Sequence, residues 1–294
     1  MSMDYLWKSV LLGLFLLPMP FHSACIPKAF TVAAVGSILE EVARSSSKQS
    51  DISILREGTP AYLMLIDGLI EAYPQNEKLL VVGASAYSSY AALFPEREDR
   101  EKARLLYLRG KQYGIRALSK RKQFRELLHK PLDQFQPCLK GFAKKDVPAL
   151  FWTANCWGNW IGLSSDSVEA IAEIPKVVSL MQRALELDEE FYYGGPHLFL
   201  AVYHLSRPKA YGGHPEKARL HFKRAFELSQ EKFLMVHVLY AKYYARQAFD
   251  RELFISTLEK VLESQADSIP ELTLLNTVAK QQAQELLEEV DDYF

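Results

Sequence analysis

Only three cysteines, Cys25, Cys138 and Cys156, occur in the 294 residues, and no two of them make a CxxC. There is no HExxH and no Cys/His quartet, so a structural or catalytic zinc has no ligand set to draw on. Also missing are a GxSxG elbow, a P-loop lysine after the glycines of YGGHPEKAR, and a GxGxxG behind a strand pattern. With no nucleophile, base and oxyanion donors in view, the chain reads as a non-enzyme without a cofactor. His197, His204, His214 and His221 lie close in sequence and could converge. No acid stands at ligand spacing beside them, so packing and capping roles are expected. An apolar run of about 18 residues or more, long enough for a spanning helix, is absent as well.

The longest apolar run, VLLGLFLLPMPF, is broken by Pro18 and Pro20, follows a single n-region cation, Lys8, and leads to Ser23-Ala24-Cys25. That is the layout of a secretory signal over residues 1–24. The ending HSAC resembles a bacterial lipobox, which makes Cys25 the expected lipidated N-terminus and the protein a membrane-anchored envelope protein. An envelope location permits a disulfide between Cys138 and Cys156, but two buried thiols fit the sequence equally and are the expected state.

Of what remains, 49% hydrophobic residues are enough for a large core. The net charge of −1 conceals an asymmetry: residues 100–145 carry fourteen Lys and Arg against three acids, and residues 263–294 carry eight acids against Lys280. No base-reading motif accompanies the basic stretch, so a solvated face meeting an acidic partner or headgroups is expected, and not nucleic acid.

The periodicity is helical throughout. Val32, Val35, Leu39 and Val42 predict a helix, and the polar run SSSKQSD a linker. Thr59-Pro60 predicts the start of a helix running through Leu63, Ile66, Leu69 and Ile70 to a stop at Pro74. The next helix, Leu79 to Phe94, carries a small-residue seam of Gly83, Ala84 and Ala86, with Pro95 after it. Leu198, Val202 and Leu205, then Ala218, Phe222, Ala225 and Phe226 after Pro215, predict a second helix pair around Gly212-Gly213. Such pairs cannot bury both apolar faces alone and need neighbours of the same kind. The fold class is therefore all-α: an array of antiparallel helix hairpins, like tetratricopeptide (TPR) repeats, with longer inserted loops and a C-terminal helix. The expected divisions are 1–24 signal, 25–58 anchored segment and linker, 59–262 helical array, and 263–294 acidic C-terminal helix.

Between the repeats, Asp146 is expected to cap, and Pro148 to open, a helix carrying Trp152, Trp157 and Trp160 with Asn155 and Asn159. Helical spacing puts Trp152, Asn155 and Asn159 on one side. Two roles are open for these residues. They are core packing, or they form one wall of a small-molecule cleft whose other wall is Tyr192 and Tyr193 before the Gly194-Gly195-Pro196 turn and Phe199 and Tyr203 after it.

The segments DVPALFWTANCWGNWIGLSSD, MQRALELDEEFYYGGPHLFLAVYHLSRP and GGHPEKARLHFKRAFELS resemble the tetratricopeptide lipoproteins of tripartite ATP-independent periplasmic (TRAP) transporters, the T component. The resemblance runs from about Thr59 to Leu262, and YYGGPH and GGHPEKAR are its most specific parts. It implies an exported, lipid-anchored, all-helical protein that pairs with a TRAP-type periplasmic solute-binding protein and accepts or passes on its ligand, which for that class is an organic acid; the chain's own aromatic stretch argues instead for a small, more apolar one. It also implies, together with the charge asymmetry, a head-to-tail homotrimer. The alternative is an envelope scaffold that organises protein partners and binds no small molecule.

A Cys25→Ala variant should lose membrane association, because each buried acyl CH₂ contributes about 0.8 kcal/mol to anchoring. Detergent phase partitioning of the two proteins is the measurement, and equal partitioning would remove the anchor.

Overall fold

The computed structural model of the chain describes residues 28–93, 99–207, 209 and 212–294, with side chains from residue 36 onward. The signal segment, Cys25, Phe94 and Pro95 lie outside the described residues. Everything described is helix, turn or loop, so the protein is all-α.

Helix α1 (Lys28–Ser47) is separated from α2 (Ile52–Ala72) by only four residues, and three of the seven residues of the expected linker are helix. The α2 start is a correction. Thr59-Pro60 does not open the helix, because the Asp51 carboxylate accepts hydrogen bonds from the backbone N–H groups of Ser53 (2.9 Å) and Ile54 (3.4 Å), and the helix begins there. Those bonds and the Ser53 hydroxyl hold the Asp51 carboxyl below its usual range. Pro60 sits inside α2 on its exposed side, where its missing N–H and its ring are tolerated next to solvent. The helix stops before Pro74, as its sequence predicts.

Helix α3 (Glu77–Leu93) packs on α2 and on α4 (Arg100–Leu118). Short helices α5 (Lys122–Leu127) and α6 (Leu132–Phe135) and two 3₁₀ turns then lead to α7 (Val147–Gly162), which packs on α3 and α4. Here too the sequence reading needs correcting: the Asp146 side chain does not cap α7. It accepts from the backbone N–H of Ala143 at 2.7 Å and pairs with Arg121, tying the preceding turn down. After α8 (Val168–Ala172) come α9 (Ile174–Leu187), α10 (Phe191–Leu205) and α11 (Pro215–Ser229), each packed on the one before. Next, α12 (Leu234–Leu239) runs directly into a π-helical turn (Tyr240–Ala245), which packs on α13 (Arg251–Glu263). A 3₁₀ turn (Pro270–Leu272), α14 (Thr273–Glu288) and α15 (Val290–Tyr293) complete the chain.

The acidic tail folds onto its own chain. Helix α14 packs on α12 and α13 and reaches back to α1 and α2, with Leu274 and Val278 in the same core as Leu39 and Leu55. A Lys48–Glu271 ion pair at 3.1 Å and an Arg251–Asp291 pair lie along this closure. The first helix and α14 thus touch, which an open-ended stack would not require. Cys138 and Cys156 are both free and buried.

Glycine seams set how close α3, α4 and α7 can come. A Cβ at Gly83 would lie 2.8 Å from Ile70 and Tyr113, one at Gly110 would lie 2.6 Å from Cys156 Sγ, and one at Gly114 would lie 2.9 Å from Thr153 Cα. A Gly114→Ala protein should therefore lose about 1–3 kcal/mol, because α4 has to be pushed off the α7 backbone. At Gly68, inside α2 with nothing within 4 Å of an added Cβ, alanine should instead gain about 0.5–1 kcal/mol. Urea unfolding of both variants checks the contrast.

Candidate functional site

Helix α7 carries its tryptophans on two sides. Trp157, fully buried, donates its indole N–H to Glu173 Oε2 at 2.7 Å. Lys111 of α4 reaches the same carboxylate at 3.0 Å while its ammonium lies 4.5 Å from the Trp157 ring centre and 3.8 Å from that of Trp160. Burial lowers the Lys111 pKa, and the Glu173 carboxylate opposes that shift. A lysine between two indole faces and one carboxylate is held as a cation by both. Lys111 gave no signal in the sequence, since its partners lie 46 to 62 positions further on.

The other side of α7 meets the start of α10. Tyr192 and Tyr193 have φ of 52° and 58° and Gly194 has 80°, so three successive residues are left-handed. For two tyrosines this is a strained backbone, held by what packs around it. Gly194 has the Ala225 Cα of α11 3.3 Å from where its Cβ would be, and Gly195 has the Phe151 ring at 2.9 Å from its own. The left-handed turn throws the Tyr192 ring onto Phe151 (5.7 Å between centroids), Trp152 (5.1 Å) and Phe233 (6.3 Å). Burial pushes its hydroxyl up to about 12, so it stays protonated as a donor.

The seven residues singled out in the sequence are placed as follows. Trp152 and Tyr192 touch edge to face, and Tyr193 adjoins Tyr192 and Phe233. Phe199 packs against α7 where Gly158 leaves room: a Cβ there would lie 2.8 Å from its ring. Asn159 donates to the Asn155 carbonyl at 3.1 Å, and the same oxygen accepts from Ser88 of α3 at 2.7 Å. Tyr203 lies further along α10, its hydroxyl accepting from Arg207 at 3.2 Å. The aromatic members thus come together at α7 and α10, the amides turn toward α3, and Tyr203 stands apart. All seven are half-buried.

One concavity was not foreseen. An open groove runs beside α11, the π turn and α13, with Phe226 and Tyr240 on its floor and Lys223, Glu231 and Lys260 on its rim. None of the seven residues lines it. The extra residue of a π turn shifts Tyr240 and Tyr244 into a parallel stack at 4.8 Å, and YAKYYA reads as ordinary helix in one dimension. Among the described residues no cluster suited to a metal is present, and no helix is long and apolar enough to cross a membrane.

Asn155→Ala with Asn159→Ala should cost about 1 kcal/mol of stability, since the buried Ser88 hydroxyl loses its acceptor. Tyr193→Phe should leave stability unchanged within error. Thermal unfolding measured beside binding separates a cleft role from packing: binding lost in the Tyr193→Phe protein at unchanged stability supports the cleft.

Residues 48–294 match the family model described as TRAP transporter T-component. The chain is also similar to an uncharacterized protein of Treponema pallidum (strain Nichols), 22% identical over 267 residues that cover 85% of this chain and 83% of that one.

Proposed function

Because the chain belongs to the TRAP transporter T-component family and is thereby associated with a TRAP transporter, we propose that it is the extracytoplasmic lipoprotein of such a system, docking the solute-binding protein and receiving or passing on a small apolar ligand. The ligand part of the reading is carried by one observation. Trp152, Tyr192, Tyr193 and Phe199, from two separate stretches, meet between α7 and α10 and are all half-buried, the exposure of a lining and not of a sealed core. Their rings supply apolar area, worth roughly 25 cal/mol per Å² when a ligand covers it, and the tyrosine hydroxyls supply direction.

Docking is supported by α2. Ile54 (60% exposed), Met64 (76%) and Leu65 (55%) stand on its outer side with exposed Gly58 and Ala61 between them and exposed Gly68 after them. An apolar helix face left in water is what a partner's helix or sheet covers. The TPR-like array, the periplasmic location, the Cys25 anchor and the homotrimer belong to the same proposal. The trimer would no longer rest on the whole acidic tail, because part of its charge is already paired within the chain. The reading assigns the protein no chemistry of its own and no nucleic-acid partner.

The scaffold alternative shares the docking face and dispenses with the ligand. Mixing the purified protein with its TRAP-type solute-binding protein should give co-elution at a mass containing three copies of each, weakened at least tenfold by Leu65→Lys on α2. Separate elution with and without solute would overturn the docking reading, and a one-chain mass at micromolar concentration and low salt would overturn the trimer.

A further inference from the structure

We propose that the histidine corner between α10 and α11 is a pH-responsive latch, closed while its rings are neutral and opened by acid. Four histidines meet there. His197 Nδ1 and His221 Nδ1 are 2.9 Å apart, the His204 ring lies parallel to that of His221 at 5.6 Å and 17°, and the His214 ring stands edge-on to His204 at 5.7 Å. The sequence spacing suggested packing roles for them, and the hydrogen-bond network makes those roles conditional on protonation.

Glu189 Oε2 lies 3.1 Å from His197 Nε2, and a carboxylate can only accept, so the proton of His197 is assigned to Nε2. Its Nδ1 is then bare and accepts from the Nδ1–H of His221. One added proton is tolerated: His197 becomes a cation facing Glu189, and the bond reverses toward a His221 whose own proton sits on Nε2. A second added proton is not, since both Nδ1 atoms then carry hydrogen at 2.9 Å. The bond between the helices is lost and two cations face each other. A third proton, on His204, would put a positive ring on the face of His221.

The surroundings are not neutral toward this. Lys217 of α11 and Arg207 after α10 oppose charge on His204, and Lys217 opposes it on His221. At His197, Glu189 and Glu227 favour charge and Arg224 opposes it. Glu189 is fixed as an anion, its carboxyl lowered to about 2 by hydrogen bonds from Arg224 and then His197. Burial first, then Lys217 at His204 and the neighbouring His197 and His204 at His221, push His204 and His221 down to about 4. An unfolded chain takes the same protons near about 6.5. Between those values the unfolded state binds more protons, so the latch is fully closed above about pH 6.5 and is lost as pH falls toward 4.

The latch has something to release. Ala225 and Leu228 of α11 back Gly194, the third residue of the strained left-handed turn. If α11 moves off α10, that support goes, and Tyr192 and Tyr193 are freed from the Trp152 cluster. Acid would thereby act on the aromatic wall from the far side of the hairpin.

The test compares the wild-type protein with His221→Phe, which keeps a ring and removes both nitrogens, in EDTA from pH 7.5 to 4.5. The wild-type melting temperature should fall by several degrees more than that of the variant, and hydrogen exchange at pH 5 should quicken first in α10, α11 and residues 192–194. Parallel melting curves, or exchange that quickens evenly along the chain, would overturn the latch. So would a pH effect that appears without EDTA and vanishes with it, which would make the corner a metal site. If His221→Phe does not fold, NMR titration of the wild-type rings decides: titration of His204 and His221 well below the unfolded-chain value of about 6.5 supports the latch, and titration of both at that value ends it.

Discussion

Close approach of backbones along α4 is the constraint from which most of the structure follows. Gly110 lets the Cys156 thiol of α7 sit between α4 and α3, where it donates to the Ala84 carbonyl at 3.3 Å. Burial pushes that thiol up to about 12, so Cys156 is a packing group and not a nucleophile. Gly114 does the same against Thr153, one turn earlier on α7. With α7 fixed between these seams, its two remaining sides face Lys111 and Glu173 in one direction and the start of α10 in the other. The tryptophans are thereby held on a rigid helix, the placement that a precise site needs.

Between the glycine seams, single polar residues fix register. Asp67 of α2 accepts from Tyr87 at 2.8 Å and Tyr113 at 2.6 Å, joining α2, α3 and α4 through one carboxylate with Arg109 beside it. Asn276, fully buried in α14, accepts from the backbone N–H of Leu234 and donates to the carbonyls of Lys232 and Ala266. Asn276 is a satisfied buried polar group and Asp67 a satisfied half-buried one, and slipping either helix by a turn would orphan several partners. Apolar packing alone tolerates such slips more readily.

The hairpin of α10 and α11 is built on a different economy. Its entry turn is strained at two tyrosines, and its middle is joined by histidines whose bonding depends on their protons. Strain of this kind persists only where neighbours overdetermine it. Here the neighbours are Ala225 and Leu228 on one side and the Phe151, Trp152 and Phe233 rings on the other. The hairpin is therefore the part of the molecule where a small change in packing has a conformational consequence.

The residues alone determined that the protein is helical, where α2 ends, that α3 has a small-residue seam, and that α10 and α11 pair, because 3.6-residue periodicity, proline and glycine act over one or two turns. They also determined the family, through YYGGPH and GGHPEKAR. They misplaced the start of α2 and the role of Asp146, since each depended on which of two competing local bonds the packing would favour. That the Tyr192 ring reaches Trp152 was legible in the glycines of the turn, but its left-handed backbone was not, because tyrosine does not adopt it unaided. Only the tertiary structure decided that α14 returns to α1 and α2, that Lys111 lies between two indoles, and that four histidines converge. Those contacts join residues far apart in sequence, and the free energy that selects them comes from burying faces together, a quantity no local pattern contains.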